Sequence, residues 1–171
     1  MKVEILRYPT EEAWLRCKML ALTTVGKDAM TPPTDEWKHK ILNTEHSPIR
    51  TLMFTIKMEI PYWVSVHYVR HKYGVEHYVK SQRTDRTGED RNAKRQDEMV
   101  THIMDINAQE LMFMARRRLC NLASKETREV MWEIEKQVTA VCPEFSEVFE
   151  PMCERNGGVC YEMRSCGRCR R

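Results

Sequence analysis

Residues 50–60 alternate. Leu52, Phe54, Ile56, Met58 and Ile60 fall on one side; Thr51, Thr55, Lys57 and Glu59 fall on the other. A period of two builds a strand with one face in a core and one face toward water. The same residues wound as a helix would scatter their apolar side chains around the axis. The strand therefore demands a sheet, and the sheet demands helices to cover its apolar face.

The rest of the chain supplies both. Residues 2–7 and 99–106 read as further strands. Thr10, followed by Glu11 and Glu12, caps a helix whose inner side carries Trp14, Cys17 and Ala21 and which stops at Gly26. Thr34 caps a second helix running to about Leu42. Pro61 suits the first position of a third, which passes through Trp63, Val66 and Val69 to a stop at Gly74. Residues 84–98 read as an exposed charged loop. From Asn107 to about Val141 the pattern is helical, with a break and a new cap at Ser124 and a stop at Pro143. The expected fold is α+β: a small antiparallel or mixed sheet flanked by helices over residues 1–150. Residues 151–171, with Gly157, Gly158, Gly167 and four cysteines, read as an irregular Cys-rich knuckle.

With 171 residues, 42% of them hydrophobic, the chain can bury a core without disulfides. The balance of 28 basic against 25 acidic residues excludes a histone-like electrostatic binder. No apolar run is long enough to span a membrane, and the N-terminus lacks the apolar core of a signal peptide. A cytoplasmic, reducing setting is expected, with no membrane or nucleic-acid partner. Cys153, Cys160, Cys166 and Cys169 are candidate zinc ligands, although only the last pair has the CxxC spacing. Reduced, unpaired thiols are the alternative. No glycine-rich phosphate loop, GxGxxG, GxSxG or HExxH occurs, so the usual nicotinamide, kinase and hydrolase readings lack support.

Three features carry chemistry. Trp63, His67, Arg70 and His71 share one face of the third helix, a contact surface for an anion or a heterocycle; a solvated polar face is the plainer alternative. In the helix from Asn107, Leu111, Ala115, Leu119 and Leu122 define the apolar face. Advancing about 100° per residue, Arg118 falls inside that face, Arg117 beside Glu110 and Asn121, and Arg116 at the far border. A charge turned inward needs a partner, either an acidic side chain or a bound anion. Finally, Lys80-Ser81-Gln82-Arg83-Thr84-Asp85-Arg86 offers guanidinium, hydroxyl and amide groups suited to a phosphate and a base edge, unless it is simply a solvated loop.

Together these pieces resemble the flavin-dependent thymidylate synthases. That family has a Pro ahead of a strand, a helix ending in Arg-His-Arg, a Ser seven residues later and an Arg two beyond it. An Asn-Ala pair then opens a helix, with an Arg eleven positions on. Here the matching residues are Ser47-Pro48, Arg70-His71-Lys72, Ser81-Gln82-Arg83, Asn107-Ala108 and Arg118. The resemblance covers roughly residues 45–86 and 100–145. It implies that Ser47, Arg70, His71, Lys72 and Asn107 hold FAD. It implies that His67, Ser81, Gln82, Arg83 and Arg118 bind a deoxyuridylate (dUMP), and that Arg118 stabilises the ionised uracil and is the catalytic residue. The implied reaction is reductive methylation of dUMP to dTMP with methylenetetrahydrofolate and NADPH, in a homotetramer whose flavin sites are built from several chains.

The chain departs from the family pattern in several places. Lys72 replaces an Arg, and eight residues rather than seven separate it from Ser81. His67 stands for a Gln and Gln109 for an Arg. The long helical segment between the halves shrinks to residues 87–106, and a nucleotide-contacting Arg there has no counterpart. Two alternatives follow. One is a flavin-dependent methylase of another pyrimidine nucleotide. The other is a non-catalytic nucleotide- or nucleic-acid-binding homologue with a zinc knuckle, motivated by Cys166-Gly167-Arg168-Cys169-Arg170-Arg171.

Overall fold

The computed structural model describes residues 1–169; Arg170 and Arg171 of the basic tail motif lie outside the described residues. Four strands, β1 (Lys2–Arg7), β2 (Met53–Pro61), β3 (Val75–Val79) and β4 (Met99–Asn107), form one sheet in the order β1-β2-β4-β3. Every neighbouring pair is antiparallel. β2 and β4 pair along their whole length, from Met53 opposite Asn107 to Pro61 opposite Met99.

The alternation in β2 sets the inner face. Phe54, Ile56, Met58 and Ile60 are buried, and Val100, His102, Met104 and Ile106 of β4 lie on that face beside them. On the outer face Thr55 donates to Asp105 at 2.5 Å and Thr101 donates to Glu59 at 2.8 Å, so polar cross-strand pairs replace apolar ones.

The helices supply the cover. They are α1 (Glu11–Thr23), α2 (Asp35–Asn43), α3 (Tyr62–Tyr68), the short α4 (Thr84–Thr87), α5 (Ala108–Arg118), α6 (Lys125–Val141) and the short α7 (Met152–Arg155). Thr10, Thr34, Asn107 and Ser124 each cap a helix by accepting a backbone N–H three residues on. Trp14 of α1 and Phe54 of β2 both meet Phe145, which follows α6, the latter edge-on at 5.1 Å. These three rings bind helix, sheet and the segment after α6 into one core.

Two elements differ from expectation. The third helix ends at Tyr68, not near Gly74; Val69 is its C-cap, and His71 N–H then bonds to the Tyr68 carbonyl at 3.0 Å. The segment is rich in aromatic and β-branched residues, which hold a helix weakly. Residues 75–79 instead pair with β4 as a strand that the sequence reading did not include. Val75-Glu76-His77-Tyr78-Val79 does alternate, but over only five residues. The loop 84–98 is exposed as expected and contains α4 and one turn of 3-10 helix, Arg91–Ala93.

Candidate functional site

α5 starts where β4 ends, so the sheet delivers its N-terminus directly beside the turn that follows α3. Asn107 is the hinge of this arrangement. Its N–H bonds to the Gly74 carbonyl at 2.8 Å and its Oδ1 accepts from Glu110 N–H at 2.9 Å. Gly74 has φ +71°, and a Cβ there would lie 2.3 Å from Asn107 Nδ2. Only glycine allows this approach, which clamps the Arg70–Tyr73 turn against α5.

Two joined clefts result. One, of about 550 Å³, has Arg70, His71, Lys72, Arg117 and Arg118 on its wall. The other, of about 480 Å³, is bounded by Arg50, Gly74, Asn107, Gln109 and Arg116. Tyr73, Glu110 and Phe113 line both.

His71 is buried at the floor. Its Nδ1 bonds to Glu110 Oε1 at 2.8 Å, and its Nε2 accepts from Arg118 Nε at 3.2 Å. A guanidinium N–H can only donate, so the imidazole is the neutral tautomer with its proton on Nδ1, aimed at Glu110. Arg118 Nη2 also donates to the His67 carbonyl at 2.5 Å. No carboxylate pairs with Arg118 among the described residues, and burial lowers its pKa from the ordinary arginine value. Its Nη1 amino group stays uncommitted among the described residues.

The neighbouring arginines correct the helical-wheel expectation. Arg116, placed at the far border, is the most buried of the three, at 6% exposure. It makes a two-pronged pair with Glu45 at 3.1 and 2.7 Å. The wheel places residues on α5 alone, whereas the segment after α2 packs against that border and brings Glu45. Arg118 is only half-buried. The acidic partner expected of an inward arginine thus belongs to Arg116, and Arg118 is the one left facing a cleft.

Behind the site stands a second histidine pair. His77 Nε2 donates to the His71 carbonyl and its Nδ1 accepts from His102 Nε2, both at 2.9 Å. Burial pushes His102 down to about 4, and it also lowers His77. His67 is lowered as well, by burial and then by Arg118; its ring bonds to Thr127 Oγ1 at 2.8 Å.

The sequence-expected residues divide into two groups. Arg70, His71, Lys72 and Arg118 come together in one cleft, Asn107 borders the other, and His67 reaches Arg118 through its carbonyl rather than its ring. Ser47 is exposed and lines neither cleft. Ser81, Gln82 and Arg83 lie elsewhere. β3 runs from Val75, opposite Ile106, to Val79, opposite His102, and carries them to the far end of the sheet. Five residues at ~3.4 Å each separate them from the Gly74 end by roughly 17 Å. There Arg83 pairs with Asp85 at 3.0 and 2.7 Å in solvent.

Sequence reasoning missed Glu110, Phe113, Arg50 and Tyr73. Glu110 was readable as the acid in the first turn of α5. Arg50 was not, because its neighbour is distant in sequence: its Nε donates to Gln109 Oε1. At the position where the resemblance led us to expect an arginine, a glutamine holds an arginine brought from elsewhere. The tail cysteines line one common cavity with Cys120. Among the described residues no three His, Cys, Asp or Glu side chains are spaced to hold a metal as they stand.

The family described as "Thymidylate synthase complementing protein" matches residues 97–144, the stretch holding β4, α5 and most of α6. No curated protein matches the chain by sequence. Among solved structures, Thymidylate Synthase X (ThyX) from Helicobacter pylori with FAD and dUMP superposes with a TM-score of 0.67 at 13% identity, covering 88% of this chain and 98% of that one. The UMP/dUMP methylase PolB from Streptomyces cacaoi, bound with 5-Br dUMP, superposes with a TM-score of 0.68 at 15% identity, over 86% and 93%. The chain therefore has the α+β fold of ThyX. Its likeness to the flavin-dependent thymidylate synthase family lies in sequence over 97–144 and in fold over most of its length. No helix among the described residues is long and apolar enough to cross a membrane.

Proposed function

We propose that this chain is an FAD-dependent methylase of a pyrimidine nucleotide, converting dUMP to dTMP. The observation that carries this is Arg118: a half-buried guanidinium with no carboxylate partner among the described residues, fixed by His71 and the His67 carbonyl beside a cationic cleft. A fixed cation aimed at a uracil stabilises the charge that develops when the ring carbon is activated. Glu110 holds the His71 ring so that its lone pair, not its proton, meets Arg118. That leaves Arg118 fully charged toward the cleft and costs no reorganisation during the reaction.

The residues fit the cofactor. Arg70, Lys72 and Arg117 in one cleft and Arg50 in the other offer cations to a diphosphate, and Phe113 and Tyr73 offer flat faces to a ring system. Bound flavin, reduced by NADPH, would supply the hydride, while methylenetetrahydrofolate supplies the carbon. The chain's own residues bind, orient and polarise; no protein nucleophile is needed.

Ser81, Gln82 and Arg83 support a multichain site. They sit too far from Arg118 to share a nucleotide with it within one chain. In our reading they serve the cleft of a neighbouring copy, which fits a homotetramer and leaves Arg83 free to exchange Asp85 for a phosphate.

The test is direct. The purified protein, incubated with FAD and desalted, should retain about one flavin per chain by its visible spectrum. It should then release the C5 hydrogen of dUMP when NADPH and methylenetetrahydrofolate are added. A folded protein that retains no flavin sinks this function. The likeness to a UMP/dUMP methylase favours one second reading: faster hydrogen release from UMP than from dUMP would move the substrate to the ribonucleotide.

A further inference from the structure

The cysteine-rich tail has no part in the proposed reaction, yet it is built into the wall of the cleft. α7 carries Cys153, and residues 156–169 fold back over the end of α5. Arg117 pairs with Glu162 at 2.6 Å, Arg155 with Glu45 at 3.0 Å, and Arg168 with Glu154 at 2.5 Å. Beneath the tail lies a cavity of about 300 Å³ lined by Cys120, Cys153, Cys160, Cys166 and Cys169, with two methionines beside them. Five thiols line one small space, and none of them belongs to the hydrophobic core.

Cys120 is the unexpected member. It stands two residues beyond Arg118, in the connection between α5 and α6, and belongs to no cysteine motif in the sequence. Cys153 and Cys169 line the cavity close enough to interact, and Cys120 on the same wall lies within electrostatic range of both Cys153 and Cys166. These contacts join four sulfurs into one neighbourhood. Cys160 borders the same cavity, but among the described residues no such contact joins it to the others.

We propose that Cys120, Cys153, Cys166 and Cys169 bind one zinc ion as a four-thiolate tetrahedral site, with Cys160 outside the ligand set. Soft thiolates select zinc over the hard cations, and four of them close a structural site. Cys166 and Cys169 come from one turn, where Gly167 at φ +83° reverses the chain between them. As they stand the described cysteines do not yet form a metal-holding group, so the site closes on binding. Binding releases their protons to solvent and draws each sulfur to ~2.3 Å from the ion. Residues 156–169 contain no helix and no long strand, and Gly157, Gly158 and Gly167 interrupt them, so the segment can close without breaking an element. Arg117 on the cavity wall and Arg168 beside Cys153 offset the negative charge of the closed site. Because Arg117, Cys120, Leu122 and Glu162 line both this cavity and the larger cleft, the ion would brace one side of the cleft from outside it.

The experiment is elemental analysis of the full chain purified under reducing conditions, together with the visible spectrum of the protein loaded with cobalt(II). One zinc per chain is expected, with cobalt bands of a tetrahedral four-thiolate site. Cys120→Ser should lose the metal and Cys160→Ser should keep it. A protein that takes up no zinc even when incubated with zinc sulfate overturns the proposal, as does one carrying iron instead. Loss of metal in Cys160→Ser with retention in Cys120→Ser also overturns it. Should Cys120→Ser fail to fold, the cobalt spectrum of the unaltered chain still decides, since three-thiolate bands are incompatible with this ligand set. A mass two hydrogens low, from a Cys153–Cys169 disulfide in the reduced preparation, would exclude the site as well.

Discussion

The two ends of β3 are built on opposite plans. At the Gly74 end the central groups are held in place: His71 is buried between Glu110 and Arg118, and Asn107 is locked over a glycine that cannot be replaced without a clash. At the Ser81 end the Arg83 side chain is held only by Asp85 among the described residues and is 59% exposed. One end is prearranged and, under the proposed function, would polarise a bound ring. The other is a loose set of donors whose present partners are exchangeable. Under the proposed multichain site, a rigid half on one chain would meet an adaptable half on its neighbour. Rigidity serves the electrostatics, whereas adaptability serves capture of a phosphate.

The sharpest way to break this comparison is Arg118→Ala. It should cost roughly 10²–10³-fold in kcat, the loss typical of a single charge-stabilising donor, while flavin remains bound. Near-normal turnover would show that the rigid end does not carry the chemistry. Mixing Arg118→Ala chains with Arg83→Ala chains should then restore part of the activity, because some mixed sites hold one intact half from each; no recovery would place both halves in one chain's service.

Gly74→Ala tests the clamp itself. A left-handed alanine costs about 1–2 kcal/mol, and the 2.3 Å approach to Asn107 adds to it, so a total near 3 kcal/mol is expected in urea denaturation. Gly88→Ala is the control, with φ +73° but open space around it, and should cost only about 1 kcal/mol. Equal losses would mean that the Asn107 approach is not tight.

Acid should act next, through the His77–His102 pair behind the site. His102 titrates near 4 in the fold against 6.5 for the free side chain. The unfolded chain takes up that proton first, so stability is full above pH 6.5 and declines as pH falls from 6.5 toward 4. A urea midpoint that does not move across that window would contradict the neutral, buried His77–His102 pair. The smallest effect belongs to the loose end: Arg83→Ala should change stability by no more than about 0.5 kcal/mol, the usual worth of an exposed ion pair.

Much of the fold was legible because its signals are local. The β2 alternation, the Thr10, Thr34 and Ser124 caps, and the start of a helix at Asn107 each involve residues within one or two turns of each other. β3 escaped because five residues give too short a pattern to read as a strand. In the site, Arg118 and the Arg70–Lys72 turn were readable from motif spacing. Glu45, Arg50 and Cys120 were not, since each matters only through a neighbour contributed by a distant segment.

Sequence alone determined β1, β2, β4 and the starts of the capped helices, because period, capping and turn chemistry act over a few residues. The ranking of the three arginines was decided elsewhere. On an isolated helix Arg118 points inward and Arg116 does not; in the folded chain the segment after α2 arrives with Glu45 and buries Arg116 as an ion pair. A buried charge follows its partner, and where a partner lies is a property of the packed whole. The same holds for the separation of Arg83 from Arg118, which depends on the direction in which β3 joins the sheet.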